Sequence, residues 1–147
     1  MIDLDNQSTL HINIEQLEEI ASTLSQHHVE LIVTNDKTIQ ALNVAHRGKD
    51  SATDVLSFPM DITSIPKALQ SEMPLGSIVI SENYVEKKAL EYGHKNDDEL
   101  ALLFIHGMLH LLGFDHEVDN GEMRAKEKEL IEQFHLPKSL IIRNEEN

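Results

Sequence analysis

The residues from His106 to His116 read HGMLHLLGFDH, an HxxxHxxGxxH pattern that limits what the chain can fold into more than any other stretch. On an α-helix, residues four apart lie about 40° apart around the axis, so His106 and His110 project from one face and can grip one ion. A glycine after the last helical turn takes the left-handed conformation that ends helices, so Gly113 lets the chain fold back and present His116 as a third ligand. Three imidazoles leave a fourth position for water, which is the arrangement of a catalytic zinc site. Structural sites close all four positions, usually with thiolates, and this chain has no cysteine.

The spacing is similar to that of metzincin peptidases, in which the residue after the first histidine is a glutamate acting as general base. Here that residue is Gly107. The sequence therefore predicts a metal site that lacks the ordinary peptidase base, with Gly107 leaving room beside the metal.

With 147 residues and 40% apolar content, the chain is expected to form a single domain over 1–147 with a real core. Twelve Lys and Arg against 26 Asp and Glu give a net charge of −14, which works against a broad electrostatic grip on nucleic acid or an anionic membrane. A polyanionic substrate would have to be met locally, by the metal and a few placed cations. The absence of cysteine and of an apolar leader fits a cytoplasmic protein. The longest apolar run, within Leu100 to Leu112, is too short to span a bilayer and is interrupted by His106 and His110, so no membrane role is expected.

In chain order, Met1 to Ile12 alternates loosely and reads as an opening strand. Asn13 can cap a helix from Ile14 to Gln26, with Ile14, Leu17, Ile20, Ala21 and Leu24 as its apolar stripe. Val29 to Thr34 is a β-rich run, and Asn35 or Asp36 then caps a helix that runs to His46. A polar turn from His46 to Asp54 leads into the strand Val55 to Pro59. The stretch from Asp61 to Pro74 has no clear period and is expected to be a loop, a candidate lid. Leu75 to Ile80 reads as a strand, Ser81 as the cap of the next helix, and Gly93 as its end.

Asn96, Asp97, Asp98 and Glu99 form a strong helix start, with Asn96 as cap. That helix carries Leu100 to Leu112 with apolar residues nearly all round, so it is the buried central helix. Burying imidazoles there demands partners, which a metal supplies. Asp119 or Asn120 starts a final helix from Gly121 to Phe134, Pro137 stops it, and Arg143 to Asn147 is expected to be a solvated tail. Four strands and about five helices predict an α+β domain, with a small mixed four-stranded sheet and the metal-binding helix against one face.

Taken together, these stretches resemble the YbeY family of bacterial metal-dependent endoribonucleases. The family's metal motif, HGxLHLxGYDH, is matched from His106 to His116 except for Phe114 in place of Tyr. Its YRxxDxPTDVLSFP signature is matched from His46 to Pro59, with His46 for Tyr and Ala52 for Pro. Its LGDI is matched by Leu75 to Ile78, with Ser77 for Asp.

The resemblance implies one zinc ion per chain on His106, His110 and His116, with Arg47 and His106 as catalytic residues. It implies cleavage of single-stranded RNA in ribosomal RNA processing, at the 3′ end of small-subunit rRNA and in ribosome quality control. Ribosomal RNA and the ribosome or its proteins would be the partners. The metal would polarise a phosphate oxygen or activate a water, and Arg47 would bind the scissile phosphate.

Arg47 could instead form a surface ion pair with Asp50 or Asp54. Asp115 is a candidate to orient a histidine, and Asp54 to do the same or to cap a turn; neither is assigned as general base. Two other functions fit parts of the pattern. One is a zinc peptidase, on the spacing; the other is a ribosome-associated factor in which the metal only stabilises the fold.

Overall fold

The sheet grows from alternation in two short apolar runs. In a computed structural model that describes residues 1–145, these are β2 (Val29–Thr34) and β4 (Gly76–Ser81), the two central strands. They pair in parallel, with Leu31 opposite Ile78 and Val33 opposite Ile80. The strand β1 (Ile2–Asn6) adds in parallel to β2, and β3 (Val55–Pro59) adds antiparallel to β4. The order is β1-β2-β4-β3, a mixed four-stranded sheet as the sequence predicts, with β3 on an edge.

Period-two alternation splits each strand between two layers. Val29, Leu31, Val33, Ile78 and Ile80 join the main core, whereas Val79 and Leu56 pack with Ile39 of α2 (Asp36–Arg47) in a smaller cluster on the opposite face. The main core is filled by α5 (Asn96–Leu111), whose Leu100 to Ile105, Met108 and Leu109 are all buried. Burying each such side chain stabilises the fold by about 1.5–3 kcal/mol. Besides β3 and β4, α5 touches α1 (Ile14–Leu24), α4 (Glu82–Tyr92), α6 (Glu122–Gln133) and α7 (Ser139–Glu145).

Local capping sets most of the helix starts. Asn13, Asn35 and Ser81 each accept a hydrogen bond from the backbone N–H three residues on. Gly48 and Gly93 end α2 and α4 in the left-handed conformation. At α5 the cap is Lys95 rather than Asn96, and its own N–H donates to the Asp98 carboxylate.

Among the described residues there are seven helices rather than about five. The short α3 (Lys67–Gln70) lies within the stretch expected to be a plain loop. The other addition is α7, where a solvated tail is expected from Arg143 on. Arg143 is instead 1% exposed and Asn144 is buried. The reason is that Arg143 meets two carboxylates, the buried Glu99 and the half-buried Asp54, described below; residues 146–147 lie outside the described residues. No helix among the described residues is long and apolar enough to cross a membrane.

Candidate metal centre

The helix α5 presents His106 and His110 on one face, as their spacing requires, with ring centroids 4.6 Å apart. Its last turn closes at Leu112, and Gly113, at φ +97°, turns the chain back. His116 thereby reaches the other two rings, at 5.3 Å from His106 and 5.8 Å from His110 between centroids. One nitrogen from each of the three lies within 4.8 Å of the others.

The outer nitrogens decide what the inner ones can do. His110 Nδ1 lies 3.0 Å from the carbonyl oxygen of Phe114, which can only accept, so it carries the proton. His106 Nδ1 lies 3.2 Å from the Glu127 carboxylate, which fixes the same tautomer. In the neutral rings both Nε2 atoms then hold lone pairs, and they face each other across 3.1 Å. Two acceptors that close are stable only with a proton or a cation between them. Two nitrogens on a tetrahedral zinc stand about 3.3 Å apart, so the spacing fits the ion.

His116 Nδ1 is buried with no hydrogen-bond partner among the described residues, a second sign that the cluster wants an ion. Burial, and then the neighbouring His106 and His116, hold His110 below its ordinary protonation range, which keeps its lone pair available. The donor set therefore fits a borderline cation such as Zn²⁺, and a carbonyl and a carboxylate orient two of the three rings.

The cluster opens onto a cleft of about 410 Å³ whose walls include Arg47, Asp54, Ser57, His106, His110 and His116. Arg47 is the last residue of α2, where Gly48 at φ +68° ends the helix, rather than part of the following turn. The alternative of an ion pair is absent: the Arg47 side chain has no ion pair or hydrogen bond among the described residues. Asp50 accepts from Gln40 and Asp54 pairs with Arg143. Ser57 donates to the Gly107 carbonyl at 3.2 Å and so ties the cleft edge of β3 to the histidine helix.

A family model described as "Endoribonuclease YbeY" matches residues 3–135. The chain belongs to the YbeY endoribonuclease family. Among its relatives, a protein named Endoribonuclease YbeY from Sulfurovum sp. is 55% identical over 99% of this chain and 98% of the relative. Another of that name from Sulfurimonas denitrificans is 54% identical over 99% of each chain. A solution structure of a Thermotoga maritima protein superposes with a TM-score of 0.61 at 31% identity, covering 91% of this chain and 89% of that one.

Within the YbeY fold, the structure corrects one reading of the motif. Gly107 leaves no room beside the cluster, because a Cβ added there would stand 2.8 Å from Ile78 Cγ2 of β4. The glycine lets α5 sit tight against the sheet, so a glutamate at that position would meet Ile78 rather than the cleft. Ser77 donates to Glu30 at 2.8 Å, while its neighbour Ile78 faces the helix; it orients none of the histidines. Asp115 accepts from the Glu117 N–H and shapes the loop. None of residues 61–74 lines the cleft, so the expected lid is not over it.

Glu127 was beyond reach of motif reading. Its signal lies on α6, where it shares the buried stripe of Met123, Leu130 and Ile131, an odd place for a carboxylate without a partner.

Proposed function

We propose that this protein is a zinc-dependent endoribonuclease that cleaves single-stranded segments of ribosomal RNA. The observation that carries this reading is the Arg47 guanidinium, unpaired among the described residues, in the same cleft as three histidines whose ring nitrogens converge. His106, His110 and His116 hold one Zn²⁺, with Glu127 and the Phe114 carbonyl orienting two of them. When bound, the ion supplies Lewis acidity toward a phosphate oxygen and toward water.

Arg47 binds the scissile phosphate through its planar fork and stabilises the negative charge that develops there. The focusing of an anion by Arg47 and a dication accounts for how a chain of net charge −14 takes a polyanion. Asp54, Asp115 and Glu117 also line the cleft and repel phosphates placed away from those two charges, which narrows the productive register of the strand.

The resemblance of the two long motifs supports the finer assignment: maturation of the 3′ end of small-subunit rRNA and ribosome quality control, in the cytoplasm, with ribosomal partners. The whole of residues 1–147 acts as one domain. The peptidase reading loses its footing at Gly107, whose position faces the sheet. The test is to incubate zinc-loaded protein with single-stranded and duplex RNA and with casein. Cleavage of single-stranded RNA that disappears in Arg47→Ala and His106→Ala is expected; cut casein with intact RNA would overturn the reading.

A further inference from the structure

Outside the histidine cluster, a chain of polar and charged side chains, most of them buried, runs from α7 to the cleft. Ser139 Oγ lies 2.9 Å from His94 Nδ1, and His94 Nε2 lies 2.8 Å from Glu99 Oε1. Glu99 Oε2 faces Arg143 Nε at 3.2 Å, off the line of a hydrogen bond, and Arg143 Nη2 donates to Asp54 Oδ2 at 3.1 Å. The side chains of His94, Glu99 and Arg143 are at most 1% exposed. Burial pushes the Glu99 carboxyl up, and Arg143 and His94 pull it only part of the way back. Burying such charges is costly even when paired, so stability alone is a weak reason for the array.

Its geometry offers another reason. Asp54 uses its other oxygen to accept from the Val55 N–H at 2.8 Å, and its carbonyl accepts from the Ser81 N–H at 3.0 Å. With both carboxylate oxygens engaged, Asp54 acts as a clamp at the start of β3. The segment it clamps joins Arg47 to Ser57, and Ser57 bonds to the helix of His106 and His110. We propose that Arg143 is a positioning residue for the cleft: by bridging Glu99 on α5 and Asp54 before β3, it fixes the Arg47 segment relative to the three histidines. Arg143 and α7 lie beyond residues 3–135, the span that the family model matches. The inference rests on the endoribonuclease reading for its catalytic consequence, though not for its structural one.

The test uses the full zinc-loaded chain and Arg143→Lys, which keeps a charge beside Glu99 but lacks the fork that bridges two carboxylates. Asp54→Asn and the double variant complete the set. Single-stranded RNA cleavage, zinc affinity and hydrogen exchange of the Val55 amide are measured on each. The expected result is a kcat loss of about 10- to 100-fold in each single variant, with no further loss in the double. Zinc affinity should stay within about twofold, since Arg143 touches none of the histidines, and Val55 should exchange faster in Arg143→Lys.

A folded Arg143→Lys with wild-type kcat and Val55 exchange would overturn the proposal, as would losses that add. If Arg143→Lys does not fold, the Arg143 Nε–H resonance is compared between wild type and Asp54→Asn. A shift is expected, and an unmoved signal would overturn the link. Wild-type protein that cuts no RNA would defeat the endoribonuclease reading alone, because Val55 exchange still decides the positioning role.

Discussion

His106 and His110 turn their Nε2 atoms toward each other at 3.1 Å, while their Nδ1 atoms are held by the Glu127 carboxylate and the Phe114 carbonyl. The outer bonds fix the tautomer of both rings and aim their Nε2 atoms at one point. Titration should show one Zn²⁺ per chain, and zinc at about 100 times its Kd should add about 2.7 kcal/mol to stability. His106→Ala and His116→Ala should abolish tight binding, and Glu127→Gln should weaken it by about 10- to 100-fold. Isothermal titration decides; unchanged affinity in Glu127→Gln would show that the carboxylate does not support the site.

Arg47→Ala should lower kcat by about 100- to 1,000-fold, the range for losing one donor to a developing charge. Because the Arg47 side chain has no ion pair or hydrogen bond among the described residues, its removal should change stability by no more than about 0.5 kcal/mol. Zinc affinity should also hold. Arg47→Lys should recover little, having charge without the fork. Single-turnover cleavage combined with a melting curve separates these effects, and a large stability loss would mean that Arg47 is structural after all.

Gly107→Ala should destabilise by about 1–3 kcal/mol, since its Cβ would press on Ile78 inside a filled layer. The strain falls on the contact between helix and sheet, so denaturant midpoints should drop before zinc affinity does. A neutral Gly107→Ala would show that α5 can shift outward at no cost.

Metal-free protein should lose stability as the pH is lowered. His110 is held below its ordinary value of 6.5, chiefly by burial, so the unfolded chain takes up a proton that the folded one resists. Its contribution is therefore fully present above 6.5 and is lost as the pH falls toward the folded value. Melting of the metal-free protein between about pH 7 and about pH 5 should show the drop, with a shallower slope in His110→Gln. A melting temperature that is flat across that range in the wild type would contradict this.

Much of this was legible where a residue's neighbours in sequence decide its role. Val29–Thr34 and Val55–Pro59 are strands with the bounds their β-rich runs suggest, because turn-forming and capping residues flank them. The histidine spacing brought three rings together because helix periodicity and one left-handed glycine are local rules. What could not be read depends on distant partners. Glu99 looks like the negative charge of a helix's first turn, yet it is 0% exposed because Arg143 comes from 44 positions later, a separation that no pattern spans. The helix Ser139–Glu145 has seven residues, too few for a periodic signal, and it forms where Arg143 and Asn144 are drawn inward. Gly107 was misjudged for the same reason: its neighbour is Ile78, on another element.

The bridge from Arg143 to Asp54 also has a consequence in time. Translation delivers Arg47 and all three histidines before Arg143. Glu99 and Asp54, made earlier, wait for the guanidinium of a late residue. On this arrangement the cleft is fixed late in folding, when the helix Ser139–Glu145 docks. A nuclease built this way would stay idle until the helix that carries Arg143 has docked.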